Sequence, residues 1–462
     1  MHVLFATAEL APVVKVGGLG EASCGLVRAL RAAGHQVDVV IPDYGPSELE
    51  RRCSLPRPLS VPAWAGPAAV RTFELDEFGT VHAIEVPGVA RHHPYVHAGT
   101  GQGWADNDRR FFSFSAAVAA LVAEHDPDVV HLNDWHTAAT LAFLPAGVPT
   151  VFTIHNLAHQ GWANHGWLDV FGERAVAYAH DGDCNPMAGA IRLADRVVAV
   201  SPNYALEIQR PEHGEGLDPL LAARSATVVG IRNGIDTGRW NPAMDVLLPA
   251  NYSVKELAGR EVCHKELRRI TGFDIDDQPV IGVVARLVAQ KGIDVAVGCA
   301  PLLGAMPARM VLVGDGDPAL RALAEQAAQQ YADRFYVAPY SDALAHLVVS
   351  GSDVMLVPSR FEPCGLTQME SMAYGTVPVV TGVGGLRDTV IDADANPARG
   401  NGFVADVVDP MHLVDALHRA LRASRNRRRW QAIQRRGMTT DWSWDHPAAD
   451  HIALYEDLLP AG

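Results

Sequence analysis

Two glutamates eight residues apart, Glu362 and Glu370, are the most informative pair of chemically active side chains in this sequence. Glu362 follows an apolar run that predicts a strand at 353–358, and Glu370 lies in a segment with helical spacing that stops at Gly375. If all eight steps were helical, the two residues would be separated by about 12 Å. Carboxylates that far apart cannot share one proton. We expect them to bind two ends of one polyhydroxylated ligand, such as a sugar and a ribose.

Three turns that contain glycine follow predicted strands and open predicted helices. They are 15–20 with Lys15, 286–292 with Arg286 and Lys291, and 381–388 with Gly384 and Gly385. Glycines allow backbone N–H groups to approach a ligand closely, and a helix start favours anions. The first turn has neither the Walker nor the G-x-G-x-x-G spacing. In the second turn, a bidentate arginine and a mobile lysine could hold a pyrophosphate. Three such turns indicate a ligand that carries phosphate.

Polar side chains end two predicted strands in the first half of the chain. They are Asp134 and His136 after the strand at 128–132, and His155 and Asn156 after the strand at 150–155. We predict that these four side chains bind sugar hydroxyls. The alternative is a metal site formed by His131, Asp134, His136 and His155, but the spacing fits no zinc pattern, and we predict no metal.

Other catalytic arrangements do not match the sequence. It contains no discernible Ser/His/Asp set, no G-x-S-x-G elbow and no close carboxylate pair of the glycosidase type. Turns that bind anions, combined with residues that bind hydroxyls, therefore suggest transfer from a sugar activated by phosphate.

Composition limits the class of protein. A chain of 462 residues suits two or three domains, and 48% hydrophobic with 20% charged residues can bury large cores. The net charge of −15 argues against nucleic acid as a partner. No apolar run reaches the length needed to span a membrane, so we expect no membrane partner and a cytoplasmic protein. The six scattered cysteines are expected to be reduced and mostly buried.

The elements that must position these residues alternate between strands and helices, which predicts an α/β protein with parallel sheets covered on both faces. The predicted strands are 2–7, 37–42, 128–132, 150–155, 196–200, 279–285, 308–314, 335–339, 353–358 and 377–381. The predicted helices are 21–33, 110–125, 137–144, 188–194, 409–423, 426–437 and 443–459. The stretch 46–108 is expected to hold short strands and a flexible loop.

The periodicity relaxes around 232–262, which predicts a domain boundary near 240–245. We therefore expect a first Rossmann-like domain over 1–242, a second over 243–442, and a final segment over 443–462. Doubly wound units of this kind bind ligands at the carboxyl ends of their strands, in the cleft between them.

Nine motifs together carry a family resemblance. They are Lys15-Val-Gly-Gly-Leu, Asp134-Trp-His, Phe152-Thr-Ile-His-Asn-Leu-Ala-His-Gln-Gly, Ala199-Val-Ser-Pro, Arg232-Asn-Gly-Ile-Asp, Arg286-Leu-Val-Ala-Gln-Lys, Gly314-Asp-Gly-Asp-Pro, Phe361-Glu-Pro-Cys-Gly-Leu-Thr-Gln and Gly384-Gly-Leu. Through these motifs the chain resembles the glycogen and starch synthases, retaining glycosyltransferases of the GT-B type. The resemblance covers most of the chain. It implies two Rossmann-like domains that face a central cleft, with the final helix packed on the first domain.

The family transfers glucose from ADP-glucose to the 4-hydroxyl of an α-glucan without a metal, and its members have no cofactor besides the nucleotide-sugar substrate. The resemblance implies that Arg286 and Lys291 bind the donor diphosphate. Glu362 would hold the hydroxyls of the donor sugar, and Tyr340 would stack on the base. Backbone amides nearby would assist, namely those of Cys364, Gly365 and Leu366.

The resemblance also assigns roles in the first domain. Lys15, Gly17 and Gly18 would approach the donor phosphate. His155 would lie beside the anomeric carbon, while Asp134 and Asn233 would help to place sugars. In the mechanism proposed for such enzymes, the leaving phosphate takes the acceptor's proton on the same face of the sugar.

The sequence departs from the family pattern at four positions. Val16 and Val383 replace the threonines usual in two phosphate-side loops, and Glu21 stands where an aspartate is expected. Glu370 completes the E-x7-E pattern of a related retaining family, in which the second glutamate tends to hold the nucleotide ribose. Lost hydroxyl donors should change which donor is accepted, because unpaired buried polar groups discriminate strongly.

Three functions follow from these observations. The first is an α-glucan synthase that uses ADP-glucose. The second is a pseudo-glycosyltransferase of the acarbose type, joining a nucleotide-activated cyclitol to a small amino sugar, which the substituted loops and Glu370 favour. The third is a non-catalytic sugar- or nucleotide-binding protein, which the joint presence of Arg286, Lys291, Glu362 and His155 argues against.

Overall fold

The computed structural model describes residues 1–45, 54–97 and 101–460 of the chain. Internal contacts divide it into two compact units. Unit 1 comprises Met1–Gly234 together with Trp444–Gly462, and unit 2 comprises Ile235–Ser443. Residues 235–242, which the sequence analysis assigned to the first domain, cluster with unit 2.

Unit 1 is built around a mostly parallel sheet. Its strands are β1 (His2–Ala6), β2 (Gln36–Pro42), β3 (Arg57–Leu59), β4 (Ala68–Leu75), β5 (Gly79–Glu85), β6 (Val129–Asn133), β7 (Thr150–Ile154), β8 (Ala179–His180), β9 (Asp183–Cys184), β10 (Arg196–Ala199) and β11 (Val228–Gly230). Nine of the described strands form one sheet in the order β11-β10-β7-β6-β1-β2-β5-β4-β3. The strands from β11 to β5 pair in parallel, whereas β4 pairs antiparallel with both β3 and β5.

The antiparallel edge lies in the region where the sequence predicted short strands, 46–108. β4 alternates over its first four residues, with Ala68 and Val70 buried and Ala69 and Arg71 partly exposed, as expected of an edge strand with one face toward solvent. His92–Tyr95, part of the predicted flexible loop, lies between β5 and the next helix. Residues 46–53 and 98–100 lie outside the described part of the chain.

The helices of unit 1 before its last segment connect these strands. They are α1 (Gly18–Ala32), α2 (Asn107–His125), α3 (Trp135–Ala138), α4 (Ala175–Tyr178), α5 (Pro186–Leu193), α6 (Pro202–Glu207) and α7 (Asp218–Ala223). The helix predicted at 137–144 is instead the short α3 followed by a 3-10 segment, Ala139–Ala142. Pro145 disfavours the helical conformation at Leu144, so the helix ends before it. The Thr137 hydroxyl also donates to the backbone oxygen of Asn133 at 3.0 Å, a contact that weakens a regular helix slightly.

Unit 2 has a six-stranded sheet among its described residues, and every strand pair in it is parallel. Its strands are β12 (Val280–Val284), β13 (Arg309–Val313), β14 (Phe335–Ala338), β15 (Val354–Val357), β16 (Val377–Thr381) and β17 (Phe403–Ala405). The order is β14-β13-β12-β15-β16-β17, so the order reverses between β12 and β15. Such a switch point is where doubly wound sheets bind ligands, at the carboxyl ends of the strands.

Helices cover both faces of the unit 2 sheet, which explains why strands such as β15 are apolar and buried throughout. They are α8 (Ala258–Thr271), α9 (Ile293–Gly298), α10 (Pro318–Gln330), α11 (Asp342–Gly351), α12 (Thr367–Ala373), α13 (Gly384–Thr389), α14 (Pro410–Ser424) and α15 (Arg427–Thr439). The two predicted Rossmann-like α/β domains are thus confirmed.

The last helix, α16 (Asp445–Glu456), belongs to unit 1, as the sequence analysis expected. Trp444 and Tyr455 join the same buried cluster as Phe5. A Cβ atom at Gly25 of α1 would lie 1.9 Å from the indole nitrogen of Trp444, so only glycine allows this close packing. Among the described residues, no helix is both long and apolar enough to cross a membrane.

Candidate active site

In unit 2, the predicted cations and the first glutamate lie at the carboxyl ends of β12 and β15. The ammonium of Lys291 lies 2.6 Å from Oε2 of Glu362, and the Ser359 hydroxyl donates to the same oxygen at 2.8 Å. Glu362 is buried, while the side chain of Lys291 is 22% exposed. Arg286 is exposed and forms no ion pair with any described residue. A cation and a carboxylate therefore stand side by side, with a second cation on the same turn.

Backbone contacts tie the three loops of this edge together. The N–H of Arg360 donates to Gln290 O at 2.8 Å, and the Thr381 hydroxyl donates to Ser359 O at 2.6 Å. The N–H of Gly385 donates to Glu362 O at 3.0 Å. The turns after β12 and β16 therefore position the loop that carries Glu362.

Two glycines are required by this convergence. Gly292 has φ +62°, and a Cβ atom there would lie 2.0 Å from Pro358 O. Gly384 has φ +44°, and its Cβ atom would lie 1.9 Å from Glu362 O. The chain can pass so close to the Glu362 loop only without a side chain.

The segment after Glu362 enters a helix, as its spacing predicted. Cys364 is buried, Gly365 has φ +74°, and Leu366 is the N-cap of α12. Glu370 lies in the first turn of α12 and is 7% exposed. Glu362 therefore lies in the loop before α12, and Glu370 lies in the helix itself.

Tyr340 presents an aromatic ring at the same edge, just after β14. It is 43% exposed, and its N–H donates to Oδ2 of Asp315 at 3.0 Å. Its hydroxyl donates to Oδ1 of Asp342 at 2.8 Å. The Asp315 backbone oxygen accepts from the N–H of Leu287 at 2.8 Å, which links this ring to the turn that bears Arg286 and Lys291.

In unit 1, Asp134 connects the carboxyl ends of β6 and β7. It has φ +55°, and its Oδ1 accepts from the N–H groups of His155 at 2.7 Å and Asn156 at 3.4 Å. Burial raises the pKa of Asp134 to about 7, although these hydrogen bonds lower it. Three of the four predicted strand-end residues are thus directly joined.

His155 is held in one orientation by Asn133. The Asn133 amide donates through Nδ2 to Ala6 O at 2.9 Å, so its Oδ1 accepts from Nε2–H of His155, also at 2.9 Å. Nδ1 of His155 is then unprotonated. Burial, with a smaller effect from His451, lowers the pKa of His155 to about 3, so the ring is neutral at pH 7.

His136, the fourth strand-end residue, lies among aromatic rings. Its ring centroid is 4.3 Å from that of Trp135, 4.7 Å from Phe111 and 4.9 Å from Tyr95. Burial holds its pKa well below the usual range, and its buried Nδ1 has no hydrogen-bond partner in the described part of the chain. An unpaired buried nitrogen marks it as a residue that a ligand could satisfy.

Asn233 lies near His155, whereas His131 binds other partners. Asn233, Asn133 and His155 line one small cavity of unit 1. Both ring nitrogens of His131 lie 2.6 Å from hydroxyl oxygens, those of Tyr455 and Thr153. His131 therefore fastens α16 to the sheet and is not available to the metal site considered above.

The glycine turn of unit 1 rests on Glu9, a residue that sequence reasoning missed. Oε2 of Glu9 accepts from the N–H groups of Val16 at 2.7 Å and Gly17 at 2.9 Å, and Oε1 accepts from the Tyr95 hydroxyl at 2.8 Å. The sequence shows only a glutamate just after the predicted first strand, and its burial depends on the fold. The amide of Gly17 is therefore already satisfied by the protein.

The rest of this turn faces open space. A Cβ atom at Gly17 or Gly18 would meet nothing within 4 Å, and Gly18 starts α1. The ammonium of Lys15 lies 2.6 Å from Oε1 of Glu21 and is held near the helix start. A helix N-terminus with an adjacent cation can accept an anion.

The known proteins that this chain resembles are glycosyltransferases. The family model described as the starch synthase catalytic domain matches residues 2–223, and that described as glycosyl transferases group 1 matches residues 265–436. The glycogen synthase of Dechloromonas aromatica (strain RCB) is 37% identical over 485 residues, and that of Anaeromyxobacter sp. (strain Fw109-5) is 40% identical over 489 residues. Each alignment covers 99% of both chains.

Two solved structures resemble this chain over nearly its whole length. The catalytic domain of starch synthase IV from Arabidopsis thaliana, bound to ADP and acarbose, matches with a TM-score of 0.87 and 32% identity over 99% of both chains. A sucrose-phosphate synthase from Thermosynechococcus elongatus has the same fold, with a TM-score of 0.64 and 20% identity over 99% of this chain and 98% of that one. With relatives of this identity along its whole length, the chain belongs to the glycogen and starch synthase family and is a glycosyltransferase.

Proposed function

We propose that this enzyme transfers the glucosyl unit of ADP-glucose to the 4-hydroxyl of an α-glucan with retention of the anomeric configuration. The observation that carries the proposal is the contact of 2.6 Å between Lys291 and Glu362 at the switch point of the unit 2 sheet. A nucleotide sugar needs a cation for its diphosphate beside a carboxylate for its sugar hydroxyls. The ADP bound by the starch synthase IV structure supports adenine as the base.

Unit 2 is proposed to bind the donor. Lys291 and the exposed Arg286 hold the diphosphate, because a flexible ammonium and a planar guanidinium suit its oxygens. Glu362 accepts hydrogen bonds from the glucose hydroxyls. Tyr340 stacks on the base, and Glu370 binds the ribose.

Backbone groups of unit 2 complete the donor site in this proposal. The amides at Cys364, Gly365 and Leu366 lie between the two glutamates, at the entry to α12. The turn with Gly384 and Gly385 stands directly against the Glu362 loop. N–H groups that open a helix favour anions, which supports phosphate contacts from both segments.

Unit 1 is proposed to contribute the remaining polar contacts. Lys15 and Gly18 bind phosphate, whereas Gly17, whose amide is satisfied by Glu9, contributes by leaving room for the ligand. Asp134, His136, Asn156 and Asn233 bind sugar hydroxyls. His155, neutral at pH 7, hydrogen-bonds the sugar near its anomeric carbon.

The reaction breaks the bond from C1 of glucose to the diphosphate oxygen and forms a bond from C1 to O4 of the glucan. The O4 proton passes to the leaving diphosphate on the same face of the sugar. Arg286 and Lys291 stabilise the charge that develops on the diphosphate, which is the dominant kind of catalytic contribution in such sites. We therefore propose that no metal or cofactor takes part.

The enzyme is proposed to act in the cytoplasm. Its five described cysteines, Cys24, Cys184, Cys263, Cys299 and Cys364, are free and buried. Thiols that stay reduced are typical of the cytoplasm.

A donor and acceptor screen tests the proposal. The purified enzyme is supplied with ADP-, UDP- or GDP-glucose and glycogen, and chain elongation is measured together with the anomeric configuration of the product. We expect elongation from ADP-glucose with α-1,4 linkages. No elongation from ADP-glucose or UDP-glucose would overturn the proposal.

The pseudo-glycosyltransferase alternative rests on Val16, Val383 and Glu370, while the matched relatives are glycogen synthases. The same screen includes small amino sugars as acceptors and a nucleotide-activated cyclitol as donor. A coupled product from these substrates, without glucan elongation, would favour the alternative.

A further inference from the structure

We propose that His2, Asp38, His82 and His125 form a structural zinc site in unit 1. These residues are separate from the proposed transferase site. His2 opens β1, Asp38 lies in the first half of β2, His82 lies in β5, and His125 ends α2. A zinc ion there would join three strands of the sheet to the helix that covers them.

The distances suit a zinc ion. Oδ2 of Asp38 lies 3.0 Å from Nε2 of His2, 2.9 Å from Nδ1 of His125 and 3.8 Å from Nε2 of His82. Zinc binds imidazole nitrogen and carboxylate oxygen at about 2.0–2.2 Å, which puts neighbouring ligand atoms of a tetrahedron roughly 3.3 Å apart. Oδ2 of Asp38 and the ligand nitrogens of His2 and His125 all lie within 4.8 Å of one another. Nε2 of His82, 3.8 Å from Oδ2, has to move closer to them to complete the tetrahedron.

His82 supplies an independent observation that points to a ligand. Its side chain is 5% exposed, and its buried Nε2 makes no hydrogen bond with any described residue. Its Nδ1 lies 3.1 Å from the Thr72 hydroxyl. When Nδ1–H donates to Thr72, the lone pair of Nε2 points toward Asp38. This is the arrangement that orients a metal-binding histidine.

The charges are also those of a metal site. The Asp38 carboxylate offers the one negatively charged ligand among three imidazoles. The side chains of His2 and His125 are 20% and 25% exposed, so an ion can reach the site from solvent.

The ligand types select zinc over the hard cations. Imidazole suits zinc and other first-row transition ions, whereas Mg²⁺ and Ca²⁺ prefer oxygen ligands. Four protein ligands leave no open position, which is typical of a structural site. Among the described residues, His2, Asp38 and His125 form the one group of three or more potential ligands already close enough to share an ion, and His82 completes the set of four once its ring moves closer.

The experiment uses the full-length enzyme without a histidine tag, treated with a chelator and dialysed. Zinc chloride is titrated by calorimetry, with magnesium chloride as a parallel arm, and Co²⁺ is added as a spectroscopic probe. We expect one zinc per chain, no binding of Mg²⁺, and the intense visible absorption of tetrahedral Co²⁺. An absence of saturable zinc binding would overturn the proposal and leave a hydrogen-bonded cluster only.

Two variants locate the ion. His82→Gln and the more exposed His125→Gln each remove one ligand, and each should weaken zinc binding by about 10-fold or more. The matched control is His412→Gln, because His412 forms an exposed pair with Asp409 that contains no second histidine. This control should bind zinc as tightly as the wild type. Unchanged binding in both His82→Gln and His125→Gln would show that zinc binds elsewhere.

A thermal measurement gives a second readout. Zinc should raise the Tm of the wild type and of His412→Gln, but not that of His125→Gln. Far-ultraviolet circular dichroism without zinc verifies that each variant is folded, and His125→Gln serves if His82→Gln does not fold. An equal rise of Tm in all variants would overturn the assignment.

Discussion

The proposed donor residues of unit 2 and the polar strand ends of unit 1 treat charge in opposite ways. In unit 2, Lys291 is partly exposed and forms an ion pair with Glu362, and Arg286 is exposed. In unit 1, burial raises the pKa of Asp134 to about 7 and lowers that of His155 to about 3, so both groups move toward their neutral forms. A diphosphate needs cations, whereas sugar hydroxyls need neutral donors and acceptors. This difference is what the proposed roles require, with charged side chains in unit 2 for the diphosphate and neutral side chains in unit 1 for the sugar hydroxyls.

The largest expected effect comes from removing the cation of unit 2. Lys291→Ala should lower kcat by about 10³-fold, because the charge that develops on the diphosphate loses a preorganised partner. Steady-state kinetics with ADP-glucose measure the loss, and circular dichroism checks the fold. The control is Lys265→Ala, since Lys265 faces Glu261 across 4.0 Å on an exposed helix surface. Near-normal turnover in Lys291→Ala would contradict the diphosphate assignment.

The neutral character of unit 1 is tested by Asp134→Asn. A folded-state pKa of about 7, above the ordinary value of 3.8, means that the folded protein binds the extra proton between these values. Stability from this group is therefore full below about pH 4 and is lost as pH rises through 7. The loss is at most about 4 kcal/mol, since the shift is about three units at 1.36 kcal/mol each.

Asp134→Asn should remove this loss, so the variant should gain stability relative to the wild type as pH rises from 5 to 8. Denaturant unfolding at several pH values measures the gain. The difference between the two proteins isolates Asp134 from the buried histidines, whose lowered pKa acts in the opposite direction. A constant difference across this range would show that Asp134 titrates normally.

The convergence of loops in unit 2 is tested by Gly384→Ala. Its Cβ atom would meet Glu362 O at 1.9 Å, so the variant should lose both activity and stability. The control is Gly272→Ala at the end of α8, which has φ +72° but no atom within 4 Å of its Cβ position. Gly384→Ala should cost about 1–3 kcal/mol more in the free energy of unfolding, the usual range for overpacking. An equal loss in the free energy of unfolding in both variants would mean that backbone strain at a positive φ, and not the contact with Glu362, causes the loss.

The smallest expected effect concerns the exposed ring of Tyr340. Tyr340→Ala should raise KM for ADP-glucose by about 10-fold, the lower end of the effect of losing a stacked base. Tyr340→Phe keeps the ring, loses the hydroxyl bond to Asp342, and should behave like the wild type. If both variants raise KM equally, the hydroxyl and not the ring matters.

Much of the fold was predictable, because buried parallel strands are apolar runs and helices end at glycine or proline. The strand at 353–358 and the helix containing Glu370 appear as β15 and α12. The helix predicted at 137–144 was wrong beyond Ala138. A threonine hydroxyl competes there with backbone hydrogen bonds, and this competition depends on where the strand before it ends.

The residue types of the proposed donor site could be read from the sequence, since a cation or a carboxylate that follows an apolar strand can be recognised without a structure. The brace provided by Glu9 was not, because its partners Val16 and Tyr95 come from segments 7 and 86 residues away. The proposed zinc ligands could not be recognised from the sequence for the same reason, because they too are far apart along the chain. His2, Asp38, His82 and His125 have no characteristic spacing in the sequence. Pairing of β1, β2 and β5 brings the first three together, and the end of α2 adds His125.

The sequence by itself determined the alternation of strands and helices, the glycine turns and the chemical types of the proposed site residues, because these depend on local periodicity and composition. Tertiary structure decided the protonation state of the buried groups. Asp134 and His155 have ordinary side chains in the sequence, and burial at the ends of β6 and β7 shifts their pKa values toward neutrality. It also decided that Lys291 reaches Glu362, 71 residues away, because neighbouring parallel strands end at the same edge of a sheet.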